Sequence, residues 1–257
     1  MRKTIPATFS DNVLNFSLPD TWTKLSQEQL RYVCYVMVNF EGITAKTYIF
    51  VRLLGIRVIR KTKQGWVCSV KLSGNKIRFF LEDWQVESFL RVLDFIDNPS
   101  SSPVCIAQIG EYQAVDILLH DIPFMTYVSL ENLYQGYLQT QNSDLLKKMA
   151  QILYVDARGR HPELSLFSES ELLSVFLWFA SLKSRFAICF PFFFKSSGEE
   201  GGVPDMVAVM NAEIRALTGG DITKEKQVLS MDCWRALTEL NEKARETQEF
   251  NEKYGRK

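Results

Sequence analysis

The order of apolar and polar positions divides the chain into an extended start, a helix-and-hairpin region and a long helical remainder. "TIPATFS" and "VLNFSLP" read as two extended segments separated by Asp11 and Asn12. A helix start follows: Ser26 has Gln29 three residues on, a capping box, with Leu25 and Leu30 placed as a hydrophobic staple. Leu30, Val33, Met37 and Phe40 then line one face, and Gly42 is placed to stop the helix. Thr44 opens a second helix carrying Tyr48, Ile49 and Leu53, ended by Gly55. Period two takes over near Val67: Val67, Ser69 and Lys71 alternate with Cys68, Val70 and Leu72. Ser73-Gly74-Asn75 is turn chemistry and Lys76 to Leu81 returns, which predicts a β-hairpin. Asp83 is placed to cap a third helix with Val86, Phe89, Leu90 and Leu93 inward.

Beyond "DNPSSSP" (Asp97 to Pro103), a linker by composition, the pattern is mostly helical. "SLENLYQGYLQT" and "SDLLKKMAQILY" read as helices divided at Gln141-Asn142, and "DARGRHPEL" as a loop. Ser168 with Glu171 repeats the capping box, and Phe167 with Leu172 the staple. "KSSGEEGGVPD" reads as a flexible segment, after which Asp205 is placed to cap a helix with Val207, Met210, Ile214 and Leu217 inward. In "LTGGDITK", Gly219 sits where a left-handed cap ends one helix and Asp221 where a side chain caps the next. The last helix carries Trp234, Leu237, Leu240 and Ala244 on one face. The expected fold is α+β: N-terminal strands and a β-hairpin with packed helices, followed by a mainly helical C-terminal part. The expected divisions are 1–98, 104–195 and 206–257, the last packing on the part before it.

Composition narrows the class. Of 257 residues, 46% are hydrophobic, so a sizeable core is available, and 18 Phe, nine Tyr and five Trp make it aromatic. Thirty basic residues balance thirty acidic ones, so net charge points to neither nucleic acid nor membrane. Cys34, Cys68, Cys105, Cys189 and Cys233 are scattered and odd in number, which fits buried thiols in a reducing cytoplasm. No apolar stretch follows the basic start "MRKTIPATFSDNVL", so no signal peptide is predicted. The 23 residues from Leu172 to Phe194 are strongly apolar, but Lys183 and Arg185 fall in their middle and Pro191 interrupts the rest. The expectation there is a core helix ending near Arg185 and an extended aromatic segment, with no membrane span.

Candidate chemistry is sparse. No phosphate-loop or dinucleotide glycine pattern, nucleophile elbow, metal-binding histidine pair or cofactor motif occurs. The two histidines, His120 and His161, have no motif around them, and Asp156, Arg158 and Arg160 form a charged loop. The chain is therefore expected to be non-enzymatic, with no catalytic, cofactor or metal residue to name.

One charge asymmetry stands out. From Gly42 to Leu81 there are nine basic residues and no acidic one: Lys46, Arg52, Arg57, Arg60, Lys61, Lys63, Lys71, Lys76 and Arg78. Tyr48, Phe50, Trp66, Phe79 and Phe80 interleave with them, the make-up of a surface that holds single-stranded nucleic acid. Hairpin alternation can equally split the charges between two faces. The basic-patch candidates are Arg57, Arg60, Lys61, Lys63, Lys71, Lys76 and Arg78. A second candidate surface is "FAICFPFFF": Pro191 blocks helical continuation, leaving Phe190, Phe192, Phe193 and Phe194 as candidates for contact with a protein partner.

Two stretches resemble a known kind of protein. "FSLPDTWTKLSQEQLRYVCYVM", Phe16 to Met37, is similar to the opening of small proteins of tailed-phage and prophage gene clusters, with a short strand, Pro-x-x-Trp, then Leu-Ser/Thr-x-Glu-Gln-Leu. "LTGGDITKEKQVLSMDCWRALTEL", Leu217 to Leu240, resembles the Gly-Gly-Asp, Val-Leu, Trp-x-x-Leu segment of the same proteins and of tail assembly chaperones. Together they span under a fifth of the chain and carry no catalytic residue. The resemblance implies a non-enzymatic, cytoplasmic protein-binding factor of the infected cell, a chaperone with a phage structural partner such as a tape-measure protein. The alternatives are a nucleic-acid-binding accessory protein using residues 42–81 and an early phage protein acting on host machinery.

Overall fold

The computed structural model describes residues 3–9, 12–72, 74–194 and 206–254. The chain forms two compact units, residues 1–100 with 168–174, and residues 101–167 with 175–257. The fold is α+β, with strands and a hairpin sheet beside helices in the first unit and mainly helices in the second.

In the first unit, β1 (Lys3–Phe9) and β2 (Asn12–Leu18) pair antiparallel, Lys3 opposite Leu18. The capping box then starts α1 (Gln27–Asn39): the Ser26 hydroxyl accepts from the Gln29 amide at 3.2 Å, and the Gln29 side chain accepts from the Ser26 amide at 2.9 Å. Leu30, Val33, Cys34 and Val36 are buried, whereas Met37 and Phe40 are half-buried, so the inward stripe ends earlier than the pattern suggests. The helix stops at Asn39, and Gly42, at φ +52°, begins α2 (Gly42–Leu53) instead of closing α1. Gly55, at φ +64°, turns the chain out of α2.

A three-stranded antiparallel meander follows: β3 (Ile56–Thr62), β4 (Gly65–Leu72) and β5 (Asn75–Glu82), with β4 central. The hairpin is in the expected place, but β3 is an addition. Its alternation is hidden in the sequence because a β-bulge at Ile59 shifts the register between Val58 and Arg60. Helix α3 (Asp83–Val92) is capped one residue before the expected Asp83: Glu82 donates its amide to the Gln85 side chain at 2.9 Å. The core of this unit is aromatic. Phe50 of α2 and Phe89 of α3 stack at 5.2 Å, Phe50 meets Trp66 of β4 at 5.9 Å, and Phe79 of β5 meets Phe16 of β2 at 5.2 Å.

The second unit opens with strands too short for periodicity to show, β6 (Gln108–Ile109), β7 (Tyr112–Ala114) and β8 (Tyr154–Val155), joined antiparallel in that order. Helices α4 (Phe124–Thr140) and α5 (Ser143–Leu153) are divided as expected: Gln141 is left-handed at φ +54°, and the Asn142 side chain accepts from the Asp144 amide at 3.0 Å. The first unit takes Ser168–Ser174, which includes the start of helix α6 (Glu169–Cys189), and the rest of that helix belongs to the second. It is the one helix among the described residues long and apolar enough to cross a membrane, and 56% of its most apolar window is buried inside the protein. It runs to Cys189, a turn beyond Arg185, and residues 190–194 form a turn rather than an extended segment, the Phe194 amide donating to the Phe190 carbonyl at 3.1 Å.

The expected flexible segment and Asp205 cap lie outside the described residues. Helix α7 (Met206–Thr218) ends in the expected corner: Gly219 and Gly220 have φ of +65° and +86°, and the Asp221 side chain accepts from the Thr223 amide at 3.0 Å. Helices α8 (Glu225–Leu229) and α9 (Cys233–Tyr254) complete the chain.

The two serine caps differ in a way that can be measured. At Ser168 the amide and the hydroxyl both donate to the Glu171 carboxylate, at 2.9 and 2.7 Å, so this hydroxyl is not the acceptor that a complete box requires. Ser26→Ala should therefore cost about 1 kcal/mol, as is usual when an N-cap acceptor is removed. Ser168→Ala should cost less. Urea denaturation of both variants checks this, and equal losses would contradict it.

Candidate functional site

The register of the meander decides where its charges go. Across β4 the rows are Arg57–Ser69–Arg78 and Arg60–Val67–Phe80, with Lys71 directly opposite Lys76. Ser69, Val67 and Lys71 alternate with Cys68, Val70 and Trp66, so Arg57, Arg60, Lys71, Lys76 and Arg78 all share one face of the sheet. The other face carries Ile56, Trp66, Cys68, Val70, Phe79 and Leu81, all buried. Arg57 and Arg60 are three residues apart and would face opposite ways in a regular strand; the bulge at Ile59 brings them together. Lys61 falls on the other side, its Nζ 4.3 Å from the centroid of the Trp66 ring. Lys63 lies in the β3–β4 turn.

Two of the nine basic residues of the segment are bound internally. Lys46 bridges Asp94 and Asp97, each at 2.6 Å, and Arg52 reaches Glu28 at 3.5 Å. Arg57, Arg60, Lys61, Lys63, Lys71, Lys76 and Arg78 are exposed and form no ion pair among the described residues. Like charges directly opposite each other in a sheet are destabilising, so the Lys71–Lys76 pair is a feature that folding alone does not favour. Cations on an edge strand protect against edge-to-edge pairing, which accounts for Arg57 and Arg60 on β3. It does not account for Lys71 on the central strand. The rings are another matter: Phe50, Trp66 and Phe79 are buried, and only Phe80, half-buried, shares the basic face. The expected interleaving of charge and stacking ring is thus mostly absent from that face.

The phenylalanine cluster is largely interior to the second unit. Phe190 is 5% exposed, between Phe186 at 5.8 Å and Trp234 at 5.3 Å. Asn241 of α9 accepts from the amides of Phe192 and Phe193 at 3.0 and 3.2 Å, pinning the turn. Phe193 and Phe194 pack edge to face and are half-buried, leaving Phe192, 37% exposed, as the ring most open to a partner.

The titratable groups are tied into the scaffold. The Asp116 carboxylate accepts from His120 Nδ1 at 2.9 Å, and the imidazole stacks on Trp234 at 4.8 Å. Its neighbours Leu119 and Asp121 hold left-handed φ of 60° and 57°, a strain that surrounding bonds enforce. The Trp178 indole donates to the Ile117 carbonyl at 2.8 Å, the Trp234 indole donates to Leu118, and Asp232 accepts from the Asp121 amide. These are clamps on a loop. His161 bonds through Nδ1 to the Gln151 carbonyl. Asp156 is closed on itself, accepting from the amides of Arg158 and Arg160 at 2.8 Å. Burial pushes the thiols of Cys34 and Cys233 up to about 12 and those of Cys68 and Cys105 up to about 11, which keeps them protonated and poorly nucleophilic. Among the described residues no group of three or more His, Cys, Asp or Glu is placed to hold a metal ion. No protein-family model matches the chain, and it has no match among curated proteins or solved structures.

Sequence reasoning had no signal for one further cluster. Glu131 of α4 pairs with Lys183 of α6, yet its Oε2 is buried without a partner among the described residues. Burial, with repulsion from Glu131 and against attraction from Lys183, raises the Glu213 carboxyl of α7 to about 7 from its ordinary 4.5. Between those two values the folded chain keeps a proton that the unfolded chain has lost. Stability contributed by this group is therefore present at acid pH, falls as pH rises through that window, and levels off above it. Glu213→Gln should raise the denaturation midpoint at pH 8 and leave it unchanged near pH 4; the same shift at both would contradict the assignment. A thiol-reactive dye at pH 8 should label one cysteine of the native protein quickly, the half-buried Cys189, and all five after denaturation. Rapid labelling of a second native thiol would show that these cysteines are not sealed.

Proposed function

We propose that the protein is a non-enzymatic accessory protein that holds nucleic acid on the exposed face of β3–β5. The observation that carries this reading is the gathering of five cations on one face with no ion-pair partner among the described residues, opposite a face whose Ile56, Trp66, Cys68, Val70, Phe79 and Leu81 are buried. With zero net charge, attraction to a polyanion depends on this local field rather than on the whole molecule, and acts over about a Debye length. If all five cations neutralise phosphates of a single strand, affinity should fall by roughly 3.5 decades per decade of salt. The two stretches that resemble phage and prophage proteins suit an accessory role in an infected cell. They form a strand-to-helix entry and a helix corner and bring no residue to this face.

A second reading, a protein-binding factor of the tail-assembly-chaperone kind with a tape-measure protein as partner, draws on the second unit. There an open groove of about 630 Å³ is lined by Pro123, Met125, Ile222 and Leu229, and Ile222 is 82% exposed. Capture of a tape-measure helix that is abolished by Ile222→Asp would favour it.

For the nucleic-acid reading, the variant joining Arg57→Gln, Lys71→Gln, Lys76→Gln and Arg78→Gln removes charge from exposed side chains. It should weaken oligonucleotide binding by more than tenfold at low salt and flatten the salt slope by about 0.7 for each phosphate no longer neutralised. Lys147→Gln with Lys148→Gln, on α5, should leave binding unchanged. No retention of single- or double-stranded oligonucleotides by the unaltered protein at low salt would overturn the reading.

A further inference from the structure

The groove between α2 and β3 points to the form of the ligand. It encloses about 660 Å³ and is walled by Ile43, Tyr48 and Val51 of α2, Ile56 of β3 and Trp66 of β4, with Lys61 at its rim. Arg57 of the edge strand β3 also lines it and, by the register, turns its side chain to the opposite, basic face beside Ser69 and Arg78, so groove and face meet around the edge of β3. Tyr48 is 46% exposed, backed by the Phe40 ring at 4.4 Å. The Trp66 ring is covered by the Lys61 ammonium and by Phe50. Most of the lining is apolar, and Lys61, the cation on the groove's side of the sheet, has no ion pair among the described residues.

We infer that this groove receives an unstacked nucleobase, so that the ligand of the adjoining basic face is single-stranded nucleic acid. The inference rests on the nucleic-acid reading of that face and specifies it. A base combines a flat π-surface with an attached phosphate, which matches an apolar slot that offers one open ring, Tyr48, beside Lys61 and lies around the edge of β3 from the basic face. Duplex fits less well. Three strands spaced about 4.8 Å apart, with side chains beyond the outer two, are too wide to enter a major groove about 12 Å across. A duplex would meet this face only through its backbone and would leave the slot unused. In a single strand, phosphates lie along Arg57, Arg78, Lys71 and Lys76 while one base turns into the slot against Tyr48. Stacking is tolerant of base identity, so the site is expected to bind without strong sequence preference.

The test uses the full chain and fluorescence anisotropy with a labelled oligothymidylate and a duplex of equal length. The single strand should bind more tightly. Tyr48→Ala should weaken it about tenfold, within the range for removal of one stacked base, and leave duplex affinity unchanged. Tyr48→Phe, which keeps the ring, should bind as the unaltered protein does. Thermal melts of both variants establish that they are folded. Because Tyr48 also packs on Phe40, Ile43→Asp, at a strongly exposed wall position, serves as an independent block of the slot and should reproduce the loss. Equal binding of single strand and duplex, unaffected by either block, would overturn the base slot while leaving the basic face as a backbone-binding surface. Binding of neither would overturn both. Preference for poly-glutamate over either oligonucleotide would also overturn both and assign the face to an acidic protein.

Discussion

The register of β4 between its two neighbours is the constraint on which the first unit depends. Ile56, Trp66, Cys68, Val70, Phe79 and Leu81 can meet α2 and α3 only if every second residue of the meander points inward. A slip of one residue would turn that set out to water and drive Arg57, Arg78 and Lys71 into the core. Burying an unpaired cation costs several kcal/mol, so the slipped pairing is excluded by both sides of the sheet at once. The packing that stabilises the unit, above all Phe50 between Trp66 and Phe89, thereby also fixes the cationic face. The bulge at Ile59 is the one departure from the alternation, and it adds Arg60 to that face while sending Lys61 to the Trp66 ring.

The second unit follows a different logic. Its rings from α4, α6 and α9 interlock, Tyr127 with Phe186 and Phe179, and Phe186 with Trp234. The polar ends of Trp178 and Trp234 then serve as clamps on the carbonyls of Ile117 and Leu118. A loop with two left-handed, non-glycine residues is held open by these bonds and by Asp232, which also caps the start of α9 by accepting from the Arg235 amide. Asp116 holds the same loop from within, accepting from the amides of Leu118 and His120 at 3.0 Å.

What the sequence made legible was local. The Ser26 box, the Gly219–Asp221 corner and the β4–β5 hairpin follow from residues within a few positions of each other, and each is in place. Features set by distant partners were not legible. Phe190 reads as a free ring until Trp234 and Asn241 arrive from the last helix to cover and pin its turn. The strand β3 was hidden because a bulge breaks period two, and for the same reason no count of residues could show that Arg57 and Arg60 share a face. The strands β6 to β8, at two or three residues, are too short to carry a period at all. The pairing of Glu131 with Lys183, and the neighbouring Glu213, joins three helices and leaves no trace in any one of them.

The central claim is that one face of the meander is the binding surface. The most direct measurement is a titration of isotopically labelled protein with a single-stranded oligonucleotide at low salt, followed through backbone amide chemical shifts. The account predicts shifts concentrated at Arg57, Arg60, Val67, Ser69, Lys71, Lys76 and Arg78 and along the α2 side of the groove, with the helices of the second unit unmoved. Shifts centred on Met125 and Ile222, or no shifts at millimolar oligonucleotide, would contradict it.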